Sequence, residues 1–410
     1  MDLDVTGFDR VVYALVGARF VNVLGSGVVY PFATLYFYRE LGIPFALVGT
    51  GLFANSVASA GGTALGGYLA DRHGQRPVLV GSMAASAVTL AAYALVTTAG
   101  EFVAVAAAAG LTMGLYAPAS QAMLADHTAS ADRERAFGLL KVASNAGFGS
   151  GFVVGGVLYG VAHTAVFVAD GLTSALVAVV LVAVLPRSGG GTAATARDAL
   201  GRWADAVTEP RLVALAVLNV GFAVAYAQMQ STVPVFAADH LGLSSEQLGT
   251  LYVLNPLVVV LGQLPAVALV ERWRRTRGLV LSAGFWAASF VAVAAAHYVP
   301  VLVGVALVGA FLVLRTVGEL LHAPLVTALG SEMASVDARG SQLSLLEVAK
   351  RVGFGVGPLL GGLFFDYGAE ALLWPALVGT CALLAVGLVA LERTLTRVEN
   401  GGGAPPETEG

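Results

Sequence analysis

Lys141-Val-Ala-Ser-Asn-Ala-Gly-Phe-Gly-Ser-Gly-Phe-Val-Val-Gly-Gly156 recurs in the second half of the chain as Glu347-Val-Ala-Lys-Arg-Val-Gly-Phe-Gly-Val-Gly-Pro-Leu-Leu-Gly-Gly362, glycine for glycine. The same register pairs Pro118 with Pro324 and Arg133 with Arg339. Chance does not hold one register that long, so the chain contains a duplicated unit in which a loop and the helix after it return in the same orientation. Glycines spaced four apart in apolar helices let helices approach closely, the usual device where lipid provides no hydrophobic drive for packing.

Composition requires that lipid. Of 410 residues, 57% are hydrophobic and 12% charged, with a mean hydropathy of +0.80, more apolar surface than a water-soluble domain can hide. A bilayer core about 30 Å thick takes roughly 20 apolar residues per helix. Such runs fall at 11–37, 45–69, 77–97, 102–125, 137–160, 164–185, 211–237, 247–270, 278–297, 299–328, 343–365 and 370–391. The fold class is therefore an all-α membrane protein with about twelve transmembrane helices in two pseudo-symmetric halves of six.

Alternate loops differ in charge. One set holds Arg72, Arg76, Arg133, Arg135, Arg187, Arg197, Arg202, Arg272, Arg274, Arg275, Arg277 and Arg339, and the other only Arg39. Since positive loops stay in the cytoplasm, both termini are expected inside an inner membrane. The acidic start, Met1-Asp-Leu-Asp, is unlike a cleavable signal, so the first span is expected to be retained. A lone cysteine, Cys381, allows no intrachain disulfide, and a net charge of −4 indicates no nucleic-acid partner.

Four segments follow: a first six-helix half, 1–185; a cytoplasmic linker, 186–210; a second half, 211–395; and a tail, 396–410, expected to be disordered. In the linker, Leu200, Trp203 and Val207 share one helical face, which predicts a short helix lying on the membrane surface. Parallel repeats of this kind belong to transporters whose halves rock about a central site.

The loop between spans 2 and 3, Gly67-Tyr-Leu-Ala-Asp-Arg-His-Gly-Gln-Arg-Pro-Val-Leu79, resembles the signature of the major facilitator superfamily, with Gln75 where the family usually has Arg. Leu24-Gly-Ser-Gly-Val-Val-Tyr-Pro31 in span 1 and the glycine motif of span 5 resemble its twelve-helix drug:proton antiporter group, although Phe152 replaces a proline and Ala107 an arginine. The resemblance implies that Gly67, Asp71, Arg72, Gly74 and Arg76 form an inner gate, Asp71 holding the start of span 11. Glu347, Lys350 and Arg351 would form the gate of the second half.

Ionisable groups inside a span cost at least about 2.5–3.5 kcal/mol each, so those retained are candidates for function. They are Arg19, Asp170, Arg315 and Glu319, with His322 completing one face of span 10. Helical rise places Arg19 and Glu319 at one depth, about 12–13 Å from the inner boundary. Glu319 either carries the coupling proton or neutralises Arg315 one turn away. Polar candidates for a cavity are Asn22, Tyr30, Asn55, Gln121, Gln228 and Asn255.

No nucleotide loop, paired metal ligands or catalytic triad is legible, so neither an enzyme nor a cofactor is expected. The expectation is a monomeric secondary transporter coupling protons to efflux of hydrophobic or cationic small molecules. The alternatives are an uptake symporter for a small metabolite, a lipid translocator, or a non-transporting sensor or scaffold. The orientation is checked by cysteine labelling: a cysteine at Gly190 reacts only from the cytoplasmic side and one at Ser244 only from outside, and the reverse pattern refutes it.

Overall fold

A computed structural model of the chain describes residues 7–129, 132–186, 209–270, 273–333 and 339–401. The expected surface helix of the linker lies outside the described residues, as does most of the tail. Among the described residues the regular elements are helices: α1 (Arg10–Val29), α2 (Phe45–His73), α3 (Gln75–Ala92), α4 (Ala99–Asp126), α5 (Arg133–Val161), α6 (Ala165–Val184), α7 (Pro210–Ala227), α8 in two pieces (Ser245–Tyr252 and Leu254–Val270), α9 (Arg275–Ala296), α10 (Val301–Met333), α11 (Arg339–Asp366) and α12 (Glu370–Glu392). Short helical segments, Phe32–Leu35 with Tyr36–Glu40 and Thr232–Asp239, extend α1 and α7.

Ten of the spans are long and apolar enough to cross a membrane by themselves. The other two belong to α2, whose apolar residues are diluted by glycine, serine and threonine, and to α8, broken after Tyr252. Val179, Leu261, Leu302 and Leu383 lie exposed on outer faces, an inversion of the soluble pattern that suits a lipid belt.

Two compact units pack separately, and their boundary crosses the sequence halves. The first comprises Met1–Ala194, Met229–Pro256 and Pro358–Asp366; the second comprises Thr195–Gln228, Leu257–Gly357 and Tyr367–Gly410. The ends of α7, α8 and α11 nearest the arginine-poor loops thus belong to the first unit.

Within the first unit the glycine motif explains its own spacing. A Cβ on Gly147, Gly151 or Gly155 of α5 would strike the carbonyl oxygens of Phe20, Leu24 and Val28, successive turns of one edge of α1. Gly110 and Gly114 of α4 meet Asn55 and Ser59 of α2 in the same manner. At the arginine-rich end, Val12, Leu15, Leu79, Met123 and Leu181 close a shared core. Pro31 supplies no N–H, and α1 breaks at Tyr30 and Pro31 before continuing through a π-helical turn at Tyr36–Glu40.

The second unit repeats the device. Gly353 and Gly357 of α11 abut the carbonyls of Val220 and Val224 on α7, while α9 packs on α10 and α12. Pro118 and Pro324, paired by the repeat, both lie inside helices, α4 and α10.

The tail departs from expectation over its first residues. Residues 399–401 are anchored: Asn400 is buried, its side-chain oxygen accepts from the Thr276 N–H at 2.9 Å, and its backbone carbonyl accepts from Arg275. Glu399 pairs with Arg211 at 3.0 Å. The Thr396 N–H, followed by Arg211, holds the Glu399 carboxyl below its usual range, so this contact is ionised at neutral pH. Low apolar content masked an anchoring that consists of hydrogen bonds.

Close helix contact predicts a stability effect. Gly151→Leu forces α1 and α5 apart and costs about 3 kcal/mol, the upper end of overpacking penalties, whereas Gly138→Leu on the same helix meets open space. Thermal unfolding in detergent checks this, with a lowered midpoint expected only for Gly151→Leu.

Candidate functional site

A cavity of about 280 Å³ opens within the second unit between α7, α9, α10 and α11. Its walls are aromatic: Phe222 and Tyr226 from α7, Trp286 from α9 and Phe354 from α11, with Glu319 and His322 from α10. His322 lies 4.4 Å from Phe222 between ring centroids, and Tyr226 lies 4.7 Å from Phe354. Trp286 reaches this wall because Gly318 has no side chain to block it, and its indole N–H donates to the Arg315 carbonyl at 2.9 Å.

Charge enters through one helical turn of α10. The Arg315 guanidinium is 1% exposed and donates to Glu319 Oε2 at 2.8 Å. Its central carbon lies 3.9 Å from the Tyr226 ring centroid, a cation–π contact. The Tyr226 hydroxyl returns to the carboxylate, donating to Glu319 Oε1 at 2.7 Å. Three groups therefore form a closed triangle. Glu319 keeps 24% of its side chain exposed and is the face of that triangle on the cavity.

Glu347 and Lys350, predicted as part of a gate, also line the cavity, and they form a pair 4.0 Å apart with both side chains largely exposed. Asn219 sits behind them at 3% exposure and donates to the Leu346 carbonyl. Arg351 is half-buried on the same helix.

Glu319, Arg315 and His322 are thus brought together as the spacing on span 10 predicts. Arg19 and Asp170 are placed in the first unit instead. Arg19 donates to Ser144 at 2.8 Å. Asp170 is 2% exposed, rests against Gly25 of α1, and has Oδ1 without a hydrogen-bond partner among the described residues.

The neutral candidates stand apart from this cavity. Gln228 is fully buried and donates to the carbonyls of Val224 and Gly357. Asn55 donates to the Ala106 carbonyl and Asn22 to the Met83 sulfur. Tyr30 packs on Phe148, Asn255 is half-buried, and Gln121 is exposed. None of these six lines the cavity.

Sequence reading missed the aromatic wall. A signal existed in Trp286, which stands midway along α9, whereas membrane tryptophans concentrate at the interfaces. Nothing comparable distinguished Tyr226 or Phe354 from ordinary core residues.

At the predicted inner gate, Gly74 joins α2 to α3 as a single residue at φ +90°, a conformation reserved for glycine. Arg76 donates to the Val182 carbonyl at 2.8 Å and Arg72 to the Tyr68 hydroxyl. Gln75, the departure from the family signature, donates to Asp126 at 2.6 Å. On the last turns of α2, Gly67 is half-buried and Asp71 is exposed.

Among the described residues, paired repeats, twelve long helices and a polar triangle facing an aromatic-walled cavity fit a membrane transporter. The Major Facilitator Superfamily model matches residues 15–246 and 218–409, and the chain belongs to that family. It is 27% identical over 395 residues to the MFS-type transporter YttB of Bacillus subtilis, covering 94% of each chain. It is 25% identical over 387 residues to the multidrug resistance protein MdtH of Aeromonas hydrophila, covering 92% of this chain and 94% of that one. Among solved structures, the nucleoside transporter NupG (D323A mutant) superposes with a TM-score of 0.81 at 14% identity, over 93% of this chain and all of that one.

Proposed function

We propose that this transporter exports hydrophobic or cationic small molecules in exchange for protons, with Glu319 as the group for which substrate and proton compete. The carrying observation is the position of that carboxylate, held by Arg315 and Tyr226 yet facing an aromatic cavity. Aromatic faces suit a lipophilic cation, and a carboxylate among them supplies the opposite charge. Protonating Glu319 removes that charge, and a bound cation disfavours the proton. Linkage makes the two effects equal in size. Similarity to MdtH, named for multidrug resistance, supports the substrate class.

In this reading the protein works as a monomer in the cytoplasmic membrane, arginine-rich loops and both termini inside, and alternates access by rocking its halves. Asp71 holds the inner gate from the end of α2. In this reading Glu319 serves both roles weighed for it, neutralising Arg315 in one half of the cycle and carrying the coupling proton in the other.

The test is transport in proteoliposomes with an imposed pH gradient and a panel of lipophilic cations and neutral analogues. Wild type accumulates cations against their gradient. Glu319→Gln keeps the volume but loses the charge, and is expected to abolish gradient-driven accumulation while retaining energy-independent exchange. Should stranding of the buried Arg315 guanidinium lower the yield, Arg315→Gln with Glu319→Gln restores a stable protein that still fails to accumulate. Accumulation by either variant in response to the pH gradient overturns the proposal.

A further inference from the structure

A helix begins with backbone N–H groups that have no partner inside it, and a local side chain usually accepts from them. At the start of α2 the residue in that position is Pro44, which offers no such side chain. The missing acceptor arrives from the far end of the sequence. Asp366, the last residue of α11, accepts from the Phe45 N–H through Oδ1 and from the Ala46 N–H through Oδ2, both at 2.8 Å. A carboxylate there also meets the positive end of the helix dipole.

Neighbouring residues hold the two helices at this contact. A Cβ on Gly362 of α11 would lie 2.6 Å from the Ala46 nitrogen, and one on Gly49 of α2 would strike the backbone of Pro358 and Leu359. The Phe45 and Phe365 rings meet edge to face at 5.2 Å. All of these residues belong to the first unit, at its arginine-poor end.

The repeat gives an internal control. Its register pairs Asp366 with Gly160 at the corresponding end of α5, and a Cβ on Gly160 would lie 3.2 Å from Ser245 at the start of α8. There the helix start is capped locally, by Ser244 and Gln247 in a reciprocal capping box. A helix end thus meets a helix start in both copies; at Gly160 the Glu246 carboxylate comes near from α8, whereas among the described residues Asp366 is the one that caps the neighbouring helix across the contact.

We propose that Asp366 is the latch of the outer gate: its carboxylate, seated on the start of α2, holds the arginine-poor end closed and must leave that seat before the end can open. The assignment does not depend on the substrate or on proton coupling. It gives α2 two controlling carboxylates, Asp366 at its first turn and the proposed inner-gate residue Asp71 at its last.

The experiment reads access directly, without substrate. Thr34 is 2% exposed at this end and donates to the Gln230 carbonyl, so a cysteine there, in a Cys381→Ser background, reports opening to a membrane-impermeant thiol reagent. Asp366→Ala is expected to raise the labelling rate of Thr34→Cys at least about tenfold, the scale of losing one charge-assisted hydrogen bond. A second variant separates latching from capping. Pro44→Asp added to Asp366→Ala gives α2 a cap of its own, with no link to α11. Labelling that stays fast in the double variant supports the latch. Labelling unchanged in Asp366→Ala, or returned to the wild-type rate by Pro44→Asp, overturns it.

Discussion

A guanidinium that is 1% exposed within a transmembrane helix has to be neutralised where it stands, and Arg315 imposes that requirement on everything around it. Glu319 answers it one turn along the helix, at the i, i+4 spacing that lets two side chains meet. Tyr226 answers it twice, with its ring beneath the cation and its hydroxyl on the carboxylate. Trp286 fixes the backbone of the same turn through the Arg315 carbonyl. What remains free is one partly exposed edge of a carboxylate in an aromatic wall. That edge is the most chemically distinctive feature of the cavity, and both a proton and an organic cation have reason to seek it.

Such a polar cluster demands helices that are held accurately, and glycine provides the means. Gly353 and Gly357 press α11 onto α7 and thereby set Phe354 beside Tyr226. Their repeat counterparts, Gly147 and Gly151, press α5 onto α1 in the other unit. The motif shared by the two halves is therefore explained by packing alone, and direction of transport does not follow from it. The roles proposed for α10 and α11 lie where the copies differ: Arg315 and Glu319, and the Asp366 that stands where the first copy has Gly160.

Much of the architecture was legible because lipid leaves few choices. Backbone groups in a bilayer must be satisfied within helices, so run lengths predict spans, and glycine register predicts which helices touch. Arg315, Glu319 and His322 were legible as one cluster on span 10 because charge at that depth is costly. Tyr226 and Phe354 were not, since such a side chain in an apolar helix has the same sequence signature whether it faces lipid, core or cavity. Gln228 and Asn55 show a related limit of sequence patterns. A polar side chain in a span suggests a substrate contact, yet both are occupied by main-chain carbonyls. The cap of α2 by Asp366 was invisible because its partners are more than three hundred residues apart and one of them is backbone.

Competition between substrate and proton for one carboxylate is the core of the account, and it can be measured without a membrane. Purified protein in weakly buffered detergent, mixed with a transported lipophilic cation, should release protons to a pH indicator in proportion to the compound bound, and Glu319→Gln should bind the compound more weakly and release none. Equal proton release by wild type and Glu319→Gln, or tight cation binding by wild type with no release at any pH between 5 and 9, would contradict it.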